Sequence, residues 1–216
     1  MKKQIILAPI ILATCLLFAC NKEESLYYSA LGTISIRNDS VILESDNGTR
    51  MLVNNNESFG NSLQDTLRVI AYFTLADKAV PSGFDLVIDL QSMDKVLFKP
   101  VILLTDMNAD SIGNDELTVS SLWLVKDYLN LNFMFNGGSQ LHYINLVRFP
   151  GEIPHDTINL EIRHNDNGDS FNSYYNGFVS FDLKGLRNNL TDSVVLCIKA
   201  KEYNNQTYKQ YFIYKY

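Results

Sequence analysis

Three histidines and one acidic loop are the side chains best placed to do chemistry. His142 alternates with Ile144 and Leu146, and His164 with Leu160 and Ile162, so each imidazole stands on an apolar face. A ring in that setting is either a core or rim residue with one hydrogen bond or a metal ligand, since imidazole binds zinc well. His155 sits in a loop beside Pro154 and adds no ligand spacing. Without a His-x-His or His-x-x-x-His pair, no metal is expected. Asn165-Asp166-Asn167-Gly168-Asp169 gathers oxygen atoms as calcium loops do. It lacks the acidic twelfth position and the flanking helices of an EF-hand, and Asn-Gly among aspartates is ordinary turn chemistry. No Gly-x-Ser-x-Gly, phosphate-cradling glycine loop or dinucleotide fingerprint occurs. Hence no catalytic residue and no cofactor are expected, and His142, His164 and Asp169 have no assigned role.

Cysteine carries the clearest signal. Lys2 and Lys3 precede an apolar run from Ile5 to Phe18, which ends at Leu17-Phe18-Ala19-Cys20. The run is shorter than the ~20 apolar residues of a spanning helix and has the form of a secretory signal. Its end resembles a lipobox, where a bacterial lipoprotein is cut before cysteine and the thiol is acylated. Cys20 is the expected lipid attachment site, and the membrane is a partner through that anchor. Asn21 in place of aspartate favours the outer membrane, facing either the periplasm or the cell exterior. Lys22-Glu23-Glu24 fits a surface-export signal or a plain charged tether. Cys197, on an apolar run, has no partner for a disulfide and is expected to be a small core residue. The chain carries 18 basic and 24 acidic residues. Loss of Lys2 and Lys3 makes it more acidic still, which argues against nucleic acid as a partner.

The elements that position these groups read as strands throughout. Leu129, Leu131, Phe133 and Phe135 alternate with Asn130, Asn132 and Met134, and a second strand from Leu141 to Phe149 follows Asn136-Gly137-Gly138-Ser139. This predicts a long hairpin with one face on a core. Trp123 and Val125 continue the odd-numbered apolar face, so Trp123 is expected to be buried beside Leu129, Leu131 and Phe133. Thr157–His164, the segment around Val179 to Leu183, Ser193–Lys201 and Tyr208–Lys215 complete an immunoglobulin-like β-sandwich over 116–216. Upstream, short runs from Leu31 to Leu104 suggest a small barrel of the oligonucleotide/oligosaccharide-binding (OB) type over 29–104. Polar residues crowd 105–115, which reads as a linker. Residues 1–19 are the signal and 20–28 the acylated tether. The expected fold is thus all-β: an OB-like barrel followed by a sandwich.

Ser121-Leu122-Trp123-Leu124-Val125-Lys126-Asp127-Tyr128-Leu129-Asn130-Leu131 resembles the "W…YLNL" strand of the NigD-like lipoproteins. Leu141–Val147, Leu160–Asp169 and Val179–Leu183 resemble that family's following segments, in order. The resemblance implies the same two domains and an outer-membrane location, and no established activity. Asp39-Ser40-Val41, Asp65-Thr66-Leu67, Asp110-Ser111-Ile112, Asp156-Thr157-Ile158 and Asp192-Ser193-Val194 share one form, Asp, hydroxyl, apolar. This resembles the O-glycosylation sequon of anaerobes that carry the family. Strand entry from a turn uses the same residue types. The expectation is an anchored, non-enzymatic binding or assembly module with an unknown protein or glycan partner. A carbohydrate-binding accessory, using the barrel or the tyrosines near the end, is the first alternative. An enzyme with an unrecognised site is the second.

Overall fold

The computed structural model describes residues 26–151, 157–188 and 191–216. Cys20 and His155 lie outside them. Thirteen strands and few helical turns make up the described chain. Strands β1 (Tyr28–Arg37), β2 (Ser40–Ser45), β3 (Arg50–Val53), β4 (Leu67–Leu75) and β5 (Leu86–Lys95) form a closed barrel. The order around it is β1-β2-β3-β5-β4, with β3 and β5 parallel. Alternation sends Ile34, Leu43, Val69, Ala71, Ile88 and Leu90 into its core. Each large aliphatic side chain buried there stabilises the fold by roughly 1.5–3 kcal/mol.

Strand β6 (Leu97–Leu103) was expected to close that barrel and instead belongs to the second domain. Val179–Asp182 pair with its first half, Leu97–Pro100, and Leu146–Arg148 with its second, Val101–Leu103. The strand changes partner at Lys99-Pro100, where proline has no N–H for a ladder. Lys99 bridges the change: its Nζ donates to Ile144 O at 2.8 Å and to Asn145 Oδ1 at 2.5 Å. Burial pushes this lysine's pKa down. A strand that bends from one sheet into the other is how a sandwich corner is made. The expected linker at 105–115 accordingly lies within the second domain. It holds a single helical turn, α1 (Ala109–Ile112), whose Ile112 is buried.

The remaining strands are β7 (Thr118–Val125), β8 (Tyr128–Gly137), β9 (Tyr143–Arg148), β10 (Thr157–Asn165), β11 (Ser173–Asp182), β12 (Ser193–Glu202) and β13 (Gln206–Lys215). With β6 they run in the order β13-β12-β10-β9-β6-β11-β8-β7. The sheet folds at β6 around a core of Leu129, Leu131, Leu146, Leu160, Val179, Phe181, Leu196 and Ile198. Cys197 is buried, as a small core residue should be. Gly177 faces Phe133 across the β8–β11 ladder, and the Phe133 ring occupies the space that a Cβ would need.

Trp123 corrects the parity expectation. Val125 pairs with Tyr128, so Lys126-Asp127 is a two-residue turn, and Lys126 takes a φ of 48°. In such a hairpin, residue i pairs with i+3, and odd positions on one strand meet even positions on the next. Leu122 therefore pairs with Leu131 on the core side, while Trp123 pairs with Asn130 on the opposite face. There it is half-buried and stacks on Phe178, ring centroids 5.8 Å apart.

Candidate functional site

His164 lies on β10 and His142 one residue before β9, each on the side where alternation puts it, and the β9–β10 register brings them together. Ile144 pairs with His164, so His142, two residues back, is its diagonal neighbour. Three contacts run in line. His164 Nδ1 lies 3.1 Å from the Glu116 carbonyl oxygen. His164 Nε2 lies 2.9 Å from His142 Nδ1, and His142 Nε2 lies 3.1 Å from Asp169 Oδ2. His164 is 1% exposed. Phe135 packs against both imidazoles, with centroids at 4.6 and 5.5 Å. Gly113 brings the segment carrying Glu116 onto β10. Its φ is 72°, and a Cβ there would stand 2.7 Å from His164 O.

Asp169 closes the line and shapes a loop. Its Oδ2 accepts from the backbone N–H of Gly138 at 2.5 Å and of Gln140 at 3.2 Å. Its Oδ1 accepts from Ser139 N–H at 3.3 Å and Ser170 N–H at 2.9 Å. The Gly138 N–H, with His142, Gln140 and Ser139, holds this carboxyl well below the usual carboxylate range. Burial pushes the His164 imidazole down, and the neighbouring His142 adds to that. The carboxylate's acceptor capacity is thus taken by the protein itself. Among the described residues no cluster of three or more His, Cys, Asp or Glu side chains is arranged to hold a metal ion.

Above the line lies an open groove of about 290 Å³, walled by Phe135, Gly138, Gln140, Leu141, His142 and Tyr175. Of these, Leu141 is 66% and Tyr175 44% exposed. Phe171 and Tyr174, outside the groove's lining, and Tyr27 and Tyr211 also show aromatic surface. The tyrosines near the chain end mostly do not: Tyr208, Phe212 and Tyr216 pack on the sandwich core, and Tyr214 is fully buried.

A second polar cluster joins the two domains. Arg68 lies on the outer face of β4, and its guanidinium is enclosed. It binds both Asp46 carboxylate oxygens, at 2.6 and 2.9 Å, and donates to Asn130 Oδ1 at 3.1 Å. Ser180 Oγ is 3.4 Å away, and the Tyr128 ring stacks at 4.3 Å. Asp46 and Arg68 come from the barrel, and Tyr128, Asn130 and Ser180 from the sandwich.

Of the candidate glycosylation hydroxyls, Thr66 lines a cavity with Asp46 and Tyr128 of the second cluster. Thr66, Ser111, Thr157 and Ser193 are exposed, and Ser40 is half-buried. Asp65, beside Thr66, accepts the Ile36 N–H at 2.9 Å, and Ser111 Oγ donates to Asn108 O at 3.0 Å.

The strands that build the groove fall within a match to the NigD-like C-terminal β-sandwich domain, which spans residues 100–214. The chain belongs to the NigD-like family. That match begins inside β6, in keeping with the strand's place in the sandwich. No curated protein matches the chain. Among solved structures, a protein of unknown function from Bacteroides vulgatus is 25% identical, with a TM-score of 0.70 over 88% of this chain and 91% of its own. A NigD-like immunity protein from Bacteroides caccae is 18% identical, with a TM-score of 0.66 over 87% and 97%. A protein from Bacteroides fragilis described as a lipoprotein is 11% identical, with a TM-score of 0.64 over 88% and 98%. These alignments take in barrel and sandwich together, so the NigD-like two-domain fold is shared among them. None of the three is described as an enzyme. In this NigD-like chain, Asp46, Arg68, Asn130 and Ser180 escaped sequence reading. The one available signal was an arginine inside an apolar alternating strand.

Proposed function

We propose that the protein is an outer-membrane lipoprotein whose body is a non-catalytic binding or assembly module. Its working surface is the groove at the tip of the sandwich. The observation that carries this reading is the groove's rim. Leu141 and Tyr175 stand exposed beside a floor tied down by Asp169 and the two histidines. Apolar clusters of that kind, rimmed by polar groups, mark contact surfaces. The immunity description of the Bacteroides caccae relative is in keeping with a binding role. Anchoring is supported by the signal ending at Cys20 and by the lipoprotein description of the Bacteroides fragilis relative. Fatty-acid labelling that is lost in Cys20→Ser tests the anchor. Intact mass of the exported protein, read for added hexose or deoxyhexose, tests Ser40, Thr66, Ser111, Thr157 and Ser193.

A glycan is the second reading. Tyr175 stacks on Phe135 at 5.7 Å and keeps an exposed face on which a sugar ring can lie. A glycan array separates the two. Binding that is lost in Tyr175→Ala identifies a carbohydrate module. No glycan binding, with one discrete envelope protein crosslinked from position 141, identifies an assembly module. Neither result, in protein shown to be folded, removes the groove as the working surface.

A further inference from the structure

The contacts on the groove's floor call for one proton more than two neutral imidazoles carry. Three contacts run in line from the Glu116 carbonyl through His164 and His142 to the Asp169 carboxylate, at 3.1, 2.9 and 3.1 Å. Both ends of the line are acceptors only: a carbonyl oxygen and a carboxylate. Closing all three contacts takes three N–H protons. Two neutral imidazoles carry two. With two protons, one contact must set acceptor against acceptor and open. With four, two N–H groups would collide between the rings. We propose that the His142–His164 pair carries a single positive charge, seated on His142 and neutralised by Asp169, and that this proton latches the Gly138–Gln140 wall of the groove.

The surroundings place the charge. His164 is enclosed, so its ring is the neutral member: it donates Nδ1–H to Glu116 O and accepts at Nε2. His142 then donates from both nitrogens, with Asp169 as counter-ion. Other charged groups around the pair agree. Asp115 and Asp166 face His164 and favour a cation nearby, while the Glu116 carboxylate is engaged by Lys201 at 3.0 Å. Tyr175 stacks on Phe135, which packs against both rings, and its hydroxyl lies 3.5 Å from Gly138 O. The latch bears on the groove proposed above as the binding surface. Its test uses no ligand, so a failed latch and a failed groove give different results.

Ring ¹⁵N spectra of the protein from pH 5.5 to pH 8.5 read the proton count directly. Expected at neutral pH are three protonated ring nitrogens across the two residues, with a fourth refused at the acid end. The Gly138–Gln140 amide signals should move together as the pair loses its proton at the alkaline end. Asp169→Asn should shift that loss down by about 1–3 pH units. Should that variant fail to fold, His142→Phe keeps a ring against Phe135 and should abolish the pH response of those amides. One protonated nitrogen on each ring at neutral pH, or an amide response that survives His142→Phe, overturns the proposal.

Discussion

Trp123 shows what a single side chain reports. It rests on Phe178 outside the sandwich core, half-buried. As the chain's one tryptophan, its emission should fall between the buried and water-like limits, with partial quenching by acrylamide. Trp123→Ala should cost about 1–2 kcal/mol, a stacking contribution plus partial area, below the ~3–5 kcal/mol of a fully buried aromatic. Chemical denaturation measures it, and a loss above that range would place the ring in the core after all. Tyr214 gives a pH prediction. Its hydroxyl donates to Asp127 Oδ1 at 2.7 Å, and Arg187 Nε lies 3.2 Å away. Burial, then the bond to Asp127, pushes its pKa up to about 12. A phenol that ionises less readily in the folded state stabilises fully below the unfolded value of about 10, and that stability is lost as pH rises to about 12. Melting temperature should therefore fall across this window and fall less in Tyr214→Phe. Equal slopes in the two proteins would remove Tyr214 as the cause.

The β7–β8 hairpin decides which side chains reach the core, and its turn carries strain. Lys126 holds a left-handed backbone conformation that disfavours a side chain with a Cβ. Its ion pair with Glu44 is exposed at both ends and contributes little. Lys126→Gly should thus stabilise the protein, by up to about 1 kcal/mol. A lower melting temperature in that variant would show that the Glu44 contact outweighs the strain. Element identity was largely legible beforehand. Thr157–His164 alternates cleanly, and Ile158, Leu160 and Ile162 are buried. What alternation could not supply was pairing. Strand β6 looked like a barrel strand because its apolar content suits either domain. Its partners, β11 and β9, lie more than 40 residues further along the chain.

Barrel and sandwich meet at Arg68. Removing its side chain leaves Asp46 facing Asn130 without a countercharge. Breaking an enclosed ion pair by deleting one partner costs ~3–5 kcal/mol, whereas replacing both partners costs far less. Arg68→Ala should destabilise by that amount and split one calorimetric transition into two, as the domains uncouple. Arg68→Met with Asp46→Asn should recover most of the loss. A single unshifted transition in Arg68→Ala would show that the two domains are held together elsewhere.

Asn130 draws the line between what was written in the chain and what folding added. Its position, alternating with Leu129 and Leu131, determined that it points away from the sandwich core, and it does. Alternation also placed His142 and His164 on apolar faces and Val69 and Ala71 inside the barrel. Local periodicity encodes which face of a strand a residue occupies, because the pleat repeats every two residues. It does not encode what lies against that face. Asn130 is 0% exposed because the barrel's outer face, with Arg68, is packed upon it. His142 meets His164 because of the β9–β10 register. Both outcomes depend on contacts between distant segments, set by strand register and domain packing.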